Sequence, residues 1–139
     1  MALTLEIAAM RAGDGNPGAL LGEFRRTAVL VPAGGQDAGQ LLTRSFGGVR
    51  WILAFTDEAA LARFAREPGS GGSPGAEWPY VSVLGARLLD AVIPALDGPT
   101  GVSVDIADQD GSMLFPPVPG IVPDEVAVGG TGDTKRQPV

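Results

Sequence analysis

Leu41-Leu-Thr-Arg-Ser-Phe-Gly-Gly-Val-Arg-Trp-Ile-Leu-Ala-Phe-Thr-Asp-Glu58 is the stretch that decides the fold class. Two β-prone runs, Leu41 to Phe46 and Val49 to Phe55, flank Gly47-Gly48. A glycine pair supplies the positive φ angles of a two-residue hairpin turn, so the runs read as paired strands. In the second run Val49, Trp51, Leu53 and Phe55 share one face, and Arg50, Ile52 and Ala54 share the other. This strand reads as central, with Trp51 packed in a core. Thr56 reads as a helix N-cap, with Asp57 and Glu58 in the first turn, where carboxylates complement the helix dipole. Leu61, Phe64 and Ala65 then form the buried stripe of a helix.

The same pattern extends in both directions. Upstream, Leu3 to Arg11 reads as a short helix, broken at Gly13-Asp-Gly-Asn-Pro17. Pro17 opens a second helix with Ala19, Leu20 and Phe24 inward. Thr27 to Val31 is a strand ended by Pro32, followed by a Gly-rich loop over Gly34 to Gly39. Downstream, Pro68 to Gly75 reads as a flexible, exposed linker. Tyr80 to Leu84 is a strand, and Ala86 to about Ile93 is an amphipathic helix with Leu88, Leu89, Val92 and Ile93 on one side, limited by Pro94. Val102, Val104 and Ile106 alternate as a strand, Asp110-Gly111 signals a hairpin, and Ser112 to Phe115 returns. The order α α β β β α β α β β predicts one α/β (α+β) domain with a mixed sheet over residues 1–128. Residues 129–139 are expected to form a flexible C-terminal tail.

Composition removes whole classes of chemistry. The 139 residues contain no Cys and no His, so a thiolate metal site, a cysteine nucleophile and a Ser-His-Asp triad are all excluded. The net charge of −6 disfavours nucleic acid and anionic lipid as partners. No run approaches the ~20 apolar residues of a membrane span. The opening Met1-Ala-Leu-Thr-Leu-Glu6 lacks the positive start of a signal peptide, so a cytoplasmic location is expected.

A few groups remain as candidates. Asp105, Asp108 and Asp110 precede Gly111, but the spacing fails an EF-hand loop, and a hairpin turn is the simpler reading. Gly129 to Lys135 resembles a phosphate-binding loop without the strand before it or the helix after it. No cofactor or metal is expected. Arg44 and Arg50 flank the Gly47-Gly48 turn and are read either as a small anion site or as solvated charges that protect a strand edge. Trp78 reads equally as a core lid or an interface anchor, with Tyr80 beside it. Pro116-Pro-Val-Pro-Gly-Ile-Val-Pro123 is stiff and apolar; it either packs back on the domain or presents Ile121 and Val122 to a partner.

Taken together, several segments resemble the SseB N-terminal domain family of bacterial proteins. They are Ala28-Val-Leu-Val-Pro32, Trp51 to Glu58 with Leu61 and Phe64, Tyr80-Val-Ser-Val, Gly85-Ala-Arg-Leu-Leu89, Gly101-Val-Ser-Val and Met113-Leu-Phe-Pro-Pro117. Their order and spacing match over Leu3 to Pro117. The resemblance implies an α/β domain with a mixed sheet and carries no established catalytic residues. Similar proteins continue into a helix after the Pro-Pro pair, which Pro119 and Pro123 oppose here. The second domain of longer relatives has no counterpart in this sequence.

The expectation is a non-catalytic protein-binding module with an unidentified protein partner, in which Trp78→Ala or truncation before Val118 leaves the fold intact but abolishes partner capture. The alternative is a small anionic-ligand sensor using Arg44 and Arg50. Self-association into a homodimer through an uncovered edge strand is a further expectation, with the edge strand unidentified.

Overall fold

The computed structural model describes residues 2–34, 41–72 and 78–128. The expected tail over 129–139, with its Gly129 to Lys135 motif, lies outside the described residues. So do most of the loop after Gly34 and the end of the linker before Gly75.

The elements follow the expected order: α1 (Ala2–Arg11), α2 (Pro17–Arg26), β1 (Ala28–Pro32), β2 (Thr43–Phe46), β3 (Val49–Ala54), α3 (Glu58–Ala65), β4 (Tyr80–Leu84), α4 (Gly85–Arg87), β5 (Thr100–Val104) and β6 (Met113–Phe115). The glycine pair makes the predicted turn. Phe46 pairs with Val49, and Gly47 and Gly48 both take positive φ, at 63° and 79°. Four strands form a mixed sheet in the order β2-β3-β5-β6, with β3 and β5 parallel and the outer pairs antiparallel. β1 and β4 form an antiparallel ribbon. The ribbon is joined to the sheet where Leu30 and Phe55 exchange two backbone hydrogen bonds of 2.8 Å. The architecture is a single α+β domain.

Strand alternation sorts the core into two layers. Val29, Val31, Ile52, Ala54, Val102 and Val104 face α1, α2 and the helical stretch after β4, meeting Leu3, Ile7, Leu20, Phe24, Leu88, Leu89 and Ile93. Leu53 and Phe55 face the other way, onto Ala60, Leu61 and Phe64 of α3. A central strand buried on both faces must be apolar throughout, which is why Trp51–Phe55 carries no charge. Each such Leu, Ile or Phe contributes roughly 1.5–3 kcal/mol by leaving water.

Five local expectations are corrected. Ala19 is exposed, and Leu21 packs on the core in its place. The N-cap of α3 is Asp57, whose carboxylate accepts from the Ala60 N–H at 2.8 Å, because Thr56 is occupied elsewhere. The helix after β4 does not stop before Pro94. It continues from α4 through a π turn at Leu88–Val92 and a 3-10 turn at Ile93–Ala95, and Pro94 sits in that last turn, where it has no N–H to leave unmatched. Ile106 is exposed and outside β5. Asp110-Gly111 is not a two-residue hairpin, since Val104 pairs with Met113 and residues 105–112 form the connection.

The linker is also less open than expected. Ser70 is buried, its hydroxyl donating to the Ala65 carbonyl and accepting from the Gly72 N–H.

Candidate functional site

β4 lies at the open side of the ribbon. Ala33 N–H donates to the Pro79 carbonyl and Gly85 N–H donates to the Thr27 carbonyl, bracketing the β1–β4 ladder. Hydrogen-bonded pairs alternate along an antiparallel ladder. Val81 and Val83 therefore point their backbone groups at β1, and Tyr80, Ser82 and Leu84 point theirs away from it. No other described strand pairs with that far edge. The strand carries no charged residue, and Tyr80, Val81 and Leu84 are 39%, 48% and 50% exposed. Charge, proline and bulges are the usual protections of a free edge, and β4 has none of them.

At the start of β4 lies a cleft of about 580 Å³, walled by Leu61, Ala62 and Ala65 of α3 and by Trp78, Pro79 and Tyr80. Trp78 is half-buried. Its ring stacks on Phe64 at 5.9 Å and its indole N–H donates to the Ala33 carbonyl at 2.8 Å. It thus caps the α3 layer while showing one edge to the cleft. The Tyr80 hydroxyl donates to Glu58 Oε2 at 3.0 Å. That bond, foremost, raises the Tyr80 pKa above its ordinary value. Among the described residues Glu58 is the one carboxylate at the rim of this largely apolar cleft.

The other predicted site residues are placed differently. Val122 is buried in the main core and Ile121 packs half-buried against it, so the Pro116–Pro123 segment folds back on the domain. Val122 is thereby removed from any interaction surface. Truncation before Val118 would also take Val122 and Ala127 out of the core, so the fold is not expected to survive it.

Arg44 and Arg50 do not form one anion pocket. Arg44 pairs with Trp51 and Arg50 with Ser45, so the two side chains leave opposite faces of the hairpin. Arg44 donates to the Ser70 carbonyl at 2.6 Å and pins the linker to β2.

The aspartate cluster acts locally. Asp108 accepts from the Asp110 and Gly111 N–H groups at 3.2 Å, a side-chain-supported turn. Asp105 is buried and accepts from Thr56 at both oxygens, from the N–H at 2.9 Å and the hydroxyl at 2.7 Å. This ties the end of β3 to the end of β5. Among the described residues no group of three or more carboxylates is placed to hold a metal ion. No described helix is long and apolar enough to cross a membrane.

No protein-family model, curated protein or solved structure matches the chain.

Sequence reasoning singled out Trp78 and Tyr80, which the structure places in the wall of the cleft. It missed the free edge they introduce, because edge position depends on strand order and leaves no mark on a single strand.

Proposed function

We propose that this chain is a non-catalytic protein-binding module that accepts an extended peptide segment along the outer edge of β4. The observation that carries the reading is the uncharged row at Tyr80, Ser82 and Leu84, whose outer edge pairs with no other described strand. An extended segment added there gains main-chain hydrogen bonds, and alternate side chains supply specificity. A partner residue passing Tyr80 enters the cleft against Trp78 and Leu61. Glu58 at the rim and the net charge of −6 favour a segment with apolar residues flanked by Lys or Arg. The expected cytoplasmic setting and an SseB-like relationship are compatible with such a module and are part of the proposal.

The test is selection from a displayed library of random ten-residue peptides, repeated on Ser82→Pro. The Ser82 N–H points away from β1, so proline there blocks strand addition and spares the β1–β4 ladder. The expected result is enrichment of apolar, base-flanked segments by the native chain and their loss, at least tenfold in affinity, with an unchanged melting temperature in Ser82→Pro. Equal binding by the variant overturns the reading. So does a stable dimer that Ser82→Pro dissociates, since a second copy would then be the occupant.

A further inference from the structure

On the opposite face of β4 from Tyr80 lies a second groove, of about 780 Å³. Its walls come from three places. The β2–β3 hairpin contributes Thr43, Ser45 and Arg50, β4 contributes Val81 and Val83, and the helical stretch contributes Arg87, Val92 and Leu96. Val83, Val92 and Leu96 are half-buried and rest on the main core, so the apolar wall is fixed by packing. Among the described residues no carboxylate lines the groove.

The described arginines differ in what holds their side chains. Arg25, Arg26 and Arg63 pair with Asp90, Glu23 and Asp108. Arg11 and Arg44 are held by backbone carbonyls. The side chains of Arg50, Arg66 and Arg87 form no hydrogen bond or ion pair among the described residues; Arg66 is exposed at the end of α3, whereas Arg50 and Arg87 both line this groove. An acidic chain in which two unpaired guanidiniums meet in one concave, half-apolar site has local charge opposite to its net charge. Low-dielectric walls strengthen such a field. Guanidinium forks match the oxygens of carboxylate and phosphate, and the Thr43 and Ser45 hydroxyls add donors beside them. The volume lies within the range of small-ligand sites.

We infer that the groove between the β2–β3 hairpin and the β4–α4 segment binds a small amphiphilic anion. Arg50 and Arg87 hold the oxyanion head, and Val81, Val83, Val92 and Leu96 hold the apolar body. This site does not depend on the strand-acceptor reading. It uses side chains on one face of β4, whereas strand addition uses the backbone at its edge.

The test follows the backbone amide resonances of the isotope-labelled chain during titration with decanoate, decyl phosphate and decan-1-ol. Saturable shifts centred on Thr43, Ser45, Val81, Val83 and Arg87 are expected with either anion. The tighter of the two identifies the source as carboxylate or phosphate. Decan-1-ol should bind at least tenfold more weakly, because it lacks the charge. The double variant Arg50→Gln, Arg87→Gln should lose at least tenfold in affinity for the anions, with resonances remote from the groove unmoved. Ser82→Pro should titrate as the native chain does. Equal binding of decan-1-ol, unchanged affinity in the double arginine variant, shifts centred elsewhere, or loss in Ser82→Pro would each overturn the assignment.

Discussion

Asp105 shows how a residue's role depends on what is folded over it. It is the one non-glycine described residue with positive φ, at 52°, and its side chain is buried. Burial, foremost, pushes its pKa up; the two Thr56 hydrogen bonds oppose that shift, and nearby Asp57 and Asp108 reinforce it. An acid whose folded pKa exceeds its unfolded value contributes stability below the unfolded pKa. That contribution is lost as pH rises through the folded value. Asp105→Asn keeps an acceptor for the Thr56 N–H, tolerates the left-handed backbone and carries no charge. Its stability relative to the native chain should therefore rise as pH increases upward from the ordinary carboxylate range in urea titrations. A flat difference would contradict the account. Asp105→Ala leaves both Thr56 groups unmatched and strains the backbone, and should cost about 2–4 kcal/mol. Ser103 is the converse case, with a buried hydroxyl that has no partner among the described residues. Ser103→Ala should be neutral or stabilising by up to about 1 kcal/mol in the same titrations. The sequence made Asp105 legible as a turn residue, because that signal is local. Its bond to Thr56 spans forty-nine positions and is not a local signal.

At the scale of elements, the β2–β3 hairpin was readable because its turn, register and facing all follow from adjacent residues. The same arithmetic places Arg44 opposite Trp51, so the opposed faces of Arg44 and Arg50 were available from the sequence once the turn was fixed at two residues. The π turn after α4 was not, since nothing in the Leu88–Val92 pattern distinguishes it from an α turn. Two glycines separate conformational from steric demands. A Cβ at Gly48 meets open space, so Gly48→Ala bears only the cost of its positive φ, about 1–2 kcal/mol. At Gly85 an added Cβ runs into the Phe24 backbone carbonyl, where β4 passes into α4 against α2. Gly85→Ala should cost more, about 2–3 kcal/mol or above, by prising those helices apart. Chemical denaturation of the two variants checks the order, and a larger loss at Gly48 would contradict it.

Over the whole molecule, element order and fold class were legible because each segment announces its own period. The sites were legible only in part. Trp78 and Tyr80 stand out as aromatics beside a strand, but the free edge of β4 follows from strand order. The groove holding Arg50 and Arg87 follows from three segments meeting across the tertiary fold. The Pro-rich end was ambiguous in sequence, and it was the core's need for Val122 and Ala127 that decided its course. The central claim is that the outer edge of β4 is open in the free chain and closes on an extended partner. Residue-resolved amide hydrogen exchange, with and without a library-selected peptide, tests it most directly. Val81 and Val83 should exchange slowly in both states, while Tyr80, Ser82 and Leu84 should exchange fast in the free chain and become protected when the peptide binds. Slow exchange at Ser82 in the free chain, or fast exchange that the peptide leaves unchanged, would contradict the account.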